Sequence, residues 1–160
     1  QRETEMIKEN WRMAVQIGNR QENHRISEKK IRQTASVILN ALGYPDAELS
    51  ILIVDDQQIA QLNRQYLNRK GPTNVIAFCM RQGQFSDIAP NLLGDVVISA
   101  DTVQREAQSA GISMQDRFDQ LLIHGTLHLL GYDHENTVDD ARKMEEKANE
   151  LLRVLENQTE

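Results

Sequence analysis

The chain is 160 residues long, 39% hydrophobic and 26% charged, a balance that fits one globular domain and excludes wholesale disorder or a membrane protein. No apolar run reaches the ~18 residues of a spanning helix, the N-terminal region holds no signal-peptide core, and the single cysteine, Cys79, excludes an internal disulfide framework and points to the cytoplasm. The net charge of −6 speaks against nucleic acid when taken whole, yet residues 1–81 carry 12 Lys and Arg against 9 Asp and Glu, whereas residues 82–160 carry 6 against 15, so Arg64, Arg69, Lys70 and Arg81 read either as a surviving basic surface or as solvated helix and loop charges.

No repeat, low-complexity tract or linker interrupts residues 1–160, so a single domain is expected. The chain opens on Gln1 rather than Met, which reads as a processed or truncated end, and residues 1–10 read as a flexible polar lead. Apolar and polar residues alternate from Trp11 to Ile17, predicting a half-buried strand. Ser27 then offers an N-cap, and Ile31, Ala35, Ile38 and Leu42 recur at helical spacing until Gly43. The β-branched run from Leu49 to Val54 predicts a strand covered on both faces. Asp55 and Asp56 cap a helix with Ile59, Leu62 and Tyr66 on one side, followed by a basic, turn-rich loop over residues 68–73. Two more strands follow, Asn74 to Cys79 and Gly94 to Ile98, joined by a polar loop. Asp101 opens a short helix ended by Gly111, and a strongly apolar helix runs from Asp116 to Leu130, stopped by Gly131. A last helix from Thr137 carries Val138, Ala141, Met144, Ala148, Leu151 and Leu155 as a buried stripe. The sum is an α+β fold with a mixed sheet of about four strands and about five helices. Only the third and fourth strands lack an intervening helix, so part of the sheet is expected to be parallel.

Three of the four histidines fall in one stretch, His124-Gly-Thr-Leu-His128-Leu-Leu-Gly-Tyr-Asp-His134. His124 and His128 are one helical turn apart on one face, the spacing at which two imidazoles bind one metal ion. Gly131 can turn the chain back and return His134 as a third ligand, leaving an open position of the kind catalytic zinc keeps. An apolar helix has no packing use for two imidazoles, and burying them unpaired costs a few kcal/mol, which a metal removes. Gly125 in mid-helix costs roughly 1 kcal/mol against Ala, a cost that makes sense if something approaches the backbone there. His24 stands alone in a polar segment and reads as exposed. The spacing matches the long zinc-protease pattern H-E-x-x-H-x-x-G-x-x-H at every fixed position except the glutamate, which is Gly125 here, so a peptidase would lack its general base.

The same eleven residues resemble the H-G-x-L-H-L-x-G-Y-D-H signature of the YbeY proteins, single-strand-specific endoribonucleases of bacterial ribosomal RNA maturation. The likeness extends to Leu62-Asn63, to Pro72-Thr-Asn-Val-Ile76 with Phe78, and to Leu93-Gly-Asp-Val-Val-Ile98, covering about residues 49–155. It implies one zinc at His124, His128 and His134, a fold distantly like zincin proteases, and action on 16S ribosomal RNA with ribosome association. A three-histidine site also accepts nickel, cobalt or copper. In the family, the tyrosine before the basic loop is followed by an arginine linked to catalysis or RNA binding. Here Leu67 follows Tyr66, and either Arg69 supplies that guanidinium from a shifted position or the role is absent.

Three readings stand at this point. In the first the chain is a zinc-dependent endoribonuclease, with Arg69 as candidate catalytic cation and Arg64, Arg69 and Lys70 as RNA-backbone contacts. Asp133 and Glu135 flank the last ligand, where a carboxylate can orient a histidine or simply face solvent. Asp95 reads as a turn or cap residue. The second reading is a metal-dependent peptidase or amidase with a substitute base, and the third a non-catalytic ribosome-assembly module.

Overall fold

The computed structural model describes residues 14–80, 91–133 and 137–158. Four strands form one mixed sheet: β1 (Val15–Asn19), β2 (Glu48–Val54), β3 (Val75–Cys79) and β4 (Leu92–Ser99), in the order β1-β2-β4-β3. β1, β2 and β4 are parallel, and β3 runs antiparallel to β4 at the edge. The first predicted strand begins later than its alternation suggests, and Trp11 to Met13 lie outside the described residues. Asp95 stands within β4, opposite Ser50 and Phe78, and is therefore a strand residue rather than a turn or cap. Its neighbour Gly94 has φ +142°, and a Cβ there would collide with the Phe78 carbonyl oxygen, so the β3–β4 pairing requires glycine.

Five helices follow among the described residues: α1 (Glu28–Ala41), α2 (Asp56–Leu67), α3 (Ala100–Ala110), α4 (Met114–Leu129) and α5 (Val138–Gln158). Each of the first four starts where a short polar side chain caps it. Ser27, Asp55, Ser99 and Ser113 accept from the backbone N–H three residues on, and Asp55 and Gln58 form a reciprocal capping box. α1, α3, α4 and α5 cover one face of the sheet, and α2 lies on the other, over Val54, Ile76 and Val97. Within α4, Phe118, Leu121, Leu122, Ile123, Leu127 and Leu129 are all buried, each contributing about 1.5–3 kcal/mol. None of the helices described is long and apolar enough to cross a membrane.

Three expectations are corrected. Tyr66 is 60% exposed rather than packed beside Ile59, because the last turn of α2 passes the sheet edge. Val138 is 89% exposed, since it opens α5 ahead of the buried stripe of Met144, Ala148 and Leu151. His24 is not alone: its Nε2 lies 2.8 Å from Asp101 Oδ1, and Asp101 Oδ2 accepts from the Asp56 N–H at 3.0 Å. Asp56 in turn accepts from Ser99, Thr102 and Arg105, tying together the starts of α2 and α3. Burial raises the Asp56 carboxyl, but those three donors outweigh it and hold it low, while Asp101 is held low chiefly by the Asp56 backbone N–H.

Asp119 on α4 behaves oppositely. Burial pushes its carboxyl from 3.8 up to about 6, against the opposing pull of a 2.7 Å hydrogen bond from Gln115 Nε2. An acid raised in the fold favours its protonated form there. Its stabilising contribution is therefore complete below pH 3.8 and lost as the pH rises through about 6. Asp119→Asn keeps the acceptor for Gln115 and removes the charge. It is expected to raise Tm by a few degrees at pH 7.5 and to leave it nearly unchanged at pH 4, as read by calorimetry at both values.

Candidate active-site cleft

α4 runs along edge strand β3 in the same direction, and the two are tied at both ends. At the start of the strand, Asn74 Nδ2 and Arg117 share Glu106, at 3.2 Å and 3.0 Å. At its end, Cys79 Sγ donates to the Leu129 carbonyl at 3.5 Å. Between these ties the helix approaches the sheet closely at Gly125, where a Cβ would stand 2.7 Å from Val96 Cγ1 and 3.3 Å from Val75 Cγ2. What approaches the backbone at Gly125 is thus the sheet itself. The site of the missing glutamate points into packed strands.

Above this contact lies an open cleft of about 760 Å³. Both described histidines of the signature line it, His124 exposed and His128 half-buried, on the solvent side of a helix whose other residues in that stretch are mostly buried. This corrects one premise drawn from the sequence: the rings are not sunk in the core, so relief of their burial is not what argues for a metal. Their shared face and open setting are. After Leu129 the helix closes as expected, with Gly131 at φ +95°, its N–H on the His128 carbonyl (3.0 Å) and the Tyr132 N–H on Leu127 (3.0 Å). The turn brings Tyr132 and Asp133 back to the cleft wall. His134, the expected third ligand, and Glu135 lie outside the described residues, as does Arg81.

The opposite wall is the end of α2 and the loop after it. Buried Asn63 pins that loop, its Nδ2 donating to the Gly71 carbonyl (3.0 Å) and its own carbonyl accepting the Arg69 N–H (3.2 Å), with Asn68 left-handed at φ 53°. Leu67 and Arg69 reach the cleft; Arg64 and Lys70 are exposed nearby and do not line it. One guanidinium escaped sequence reasoning. Arg117 also lines the cleft, fixed by Glu106 and by Gln120 (Nη1 to Oε1, 2.7 Å). The signal was present: residue 117 is two helical turns before His124, hence on the same face. Among the described lining residues the charged side chains are Arg69, Arg117 and Asp133, and Arg117 is already paired with Glu106 at 3.0 Å.

A family model described as Endoribonuclease YbeY matches residues 16–156, reaching further toward the N-terminus than the motifs do. The Endoribonuclease YbeY of Geobacter sulfurreducens is 52% identical over 146 residues, covering 91% of this chain and 97% of the relative. That of Geobacter metallireducens is 49% identical (91% and 98% covered), and that of Aquifex aeolicus 40% (82% and 85%). The fold is similar to the solution structure of TM1509 from Thermotoga maritima, at a TM-score of 0.64 and 20% identity over 90% of both chains.

Proposed function

The chain belongs to the Endoribonuclease YbeY family, and from that premise we propose that it is a zinc-dependent endoribonuclease that cuts single-stranded segments of 16S ribosomal RNA during ribosome maturation in the cytoplasm. The observation that carries this reading is the pair of imidazoles one turn apart in an open cleft that Arg69 and Arg117 also line. His124 and His128 fit a metal by chemistry and by placement, and the family resemblance supplies His134, outside the described residues, as the third ligand of this reading. When bound, the ion supplies either a lowered pKa for water or charge stabilisation at the scissile phosphate.

The remaining work falls to the chain's own side chains. Arg69, exposed on a pinned loop, is the cation free to follow the RNA backbone and, with Leu67 in the position of the family's arginine, the guanidinium assigned to the reacting phosphate. Arg64 and Lys70 steer the polyanion toward the opening. Arg117, held by Glu106 and Gln120, is a fixed guanidinium on the cleft wall whose charge Glu106 offsets, so it shapes the opening more than it attracts the polyanion. Asp133 sits where it can orient a neighbouring histidine. The ribosome or a ribosomal subunit is the partner this reading implies.

Metal-loaded protein incubated with single-stranded and duplex RNA, beside a His124→Ala control, tests the proposal. Cleavage of the single strand alone, lost in the control, is expected. Cleavage that persists in the control would overturn it. Leu67 favours one rival, a non-catalytic assembly module, which predicts tight RNA binding without any cutting. Binding itself is expected to weaken as salt rises, and Arg69→Ala/Lys70→Ala to flatten that dependence by about two units of slope at most, measured by titration at several ionic strengths.

A further inference from the structure

Tyr66 packs little of its ring for an aromatic side chain. α2 is anchored to the sheet through fully buried Ile59, and Tyr66, in its last turn, is 60% exposed, the most exposed aromatic side chain among the described residues. Its ring meets Phe78 edge to face, with centroids 5.4 Å apart at 74°. That contact fixes its orientation without covering it. Phe78 packs on the α2 face of edge strand β3, whose alternate residues Ala77 and Cys79 face the histidine cleft, so the ring stands across the edge strand from that cleft, while Leu67 and Arg69, which follow Tyr66 in the chain, line it. Along the sequence the charge is one-sided. From residue 57 to residue 80 the sequence holds Arg64, Arg69 and Lys70 and not one carboxylate, in a chain of net charge −6.

An exposed, held aromatic ring in a carboxylate-free basic segment, across one edge strand from the cleft and next in sequence to residues that line it, is the arrangement by which proteins grip unpaired bases: cations track the phosphates and the ring stacks on a base. We propose that Tyr66, braced by Phe78, is a stacking platform for a base of the single-stranded substrate, positioning the strand as it enters the cleft. This rests on the RNA-cleaving function proposed above and adds to it a reason for single-strand preference, since a base paired in a duplex has no free face to offer.

The test uses the full chain and a short fluorescein-labelled single-stranded RNA, beside an oligomer of the same length made of abasic ribose phosphates. Tyr66→Ala is expected to weaken RNA binding about fivefold or more, Tyr66→Trp to preserve it, and the abasic oligomer to bind wild type and Tyr66→Ala alike. Trp11 is the chain's one tryptophan, so in a Trp11→Phe/Tyr66→Trp chain the emission reports on position 66 and should be quenched by RNA and not by the abasic oligomer. Tyr66→Ala binding RNA as wild type does, while Arg69→Ala/Lys70→Ala binds it less and wild type still cleaves, overturns the platform and leaves the nuclease reading standing. A wild-type chain that neither binds nor cuts single-stranded RNA overturns both.

Discussion

On the proposed reading, His128→Ala is expected to lose cleavage of single-stranded RNA by more than about 100-fold and to keep its fold. Groups that merely orient a metal ligand typically carry 10–100-fold in affinity or activity, so a direct ligand carries more. The fold survives because His128 is half-buried on the cleft side of α4, while Leu127 and Leu129 beside it are 0% and 2% exposed and hold the helix to the sheet. Alanine is also the better helix former. The measurement is single-turnover cleavage with circular dichroism on the same preparation. Activity within about threefold of wild type would remove His128 from the site.

Gly125→Glu, the change that would complete a protease-type zinc sequence, is expected to unfold the protein rather than create a peptidase. A Cβ at this position would already be 2.7 Å from Val96, which is itself 0% exposed in a central strand, and Val75 closes the other side at 3.3 Å. Overpacking a filled core costs about 1–3 kcal/mol, and a carboxylate pressed among valines adds its desolvation. Even Gly125→Ala is expected to lower stability, against the ~1 kcal/mol that alanine ordinarily gains in a helix. Denaturant titration of both variants checks this. A folded Gly125→Glu chain that cleaves peptides would revive the protease reading, which otherwise fails for want of space as well as of a base.

Much of this architecture is written locally. Ser27, Asp55, Gly111 and Gly131 mark helix ends because capping and left-handed turns depend on a few adjacent residues, and the alternation of strands with helical patterns already points to a partly parallel, mixed sheet. What the sequence hides is what distant segments do to one another. The exposure of Tyr66 depends on where α2 passes the sheet edge, and that of Val138 on where α5 meets its neighbours. His24 finds Asp101 across the fold. Gly125 reads as room for a ligand until the sheet is seen beneath it. The histidine face was legible because helical spacing fixes it, whereas Arg117 went unnoticed although the same spacing carried it to the same cleft.

A single ion gripped by His124, His128 and His134 is the centre of the proposed function, and the amount of metal in the purified chain tests it directly. Elemental mass spectrometry of wild type and of the three single alanine variants is expected to give about one zinc-type ion per wild-type chain and a loss of most of it in each variant. A wild-type chain without metal, or any one of the three variants retaining the full amount, would contradict it.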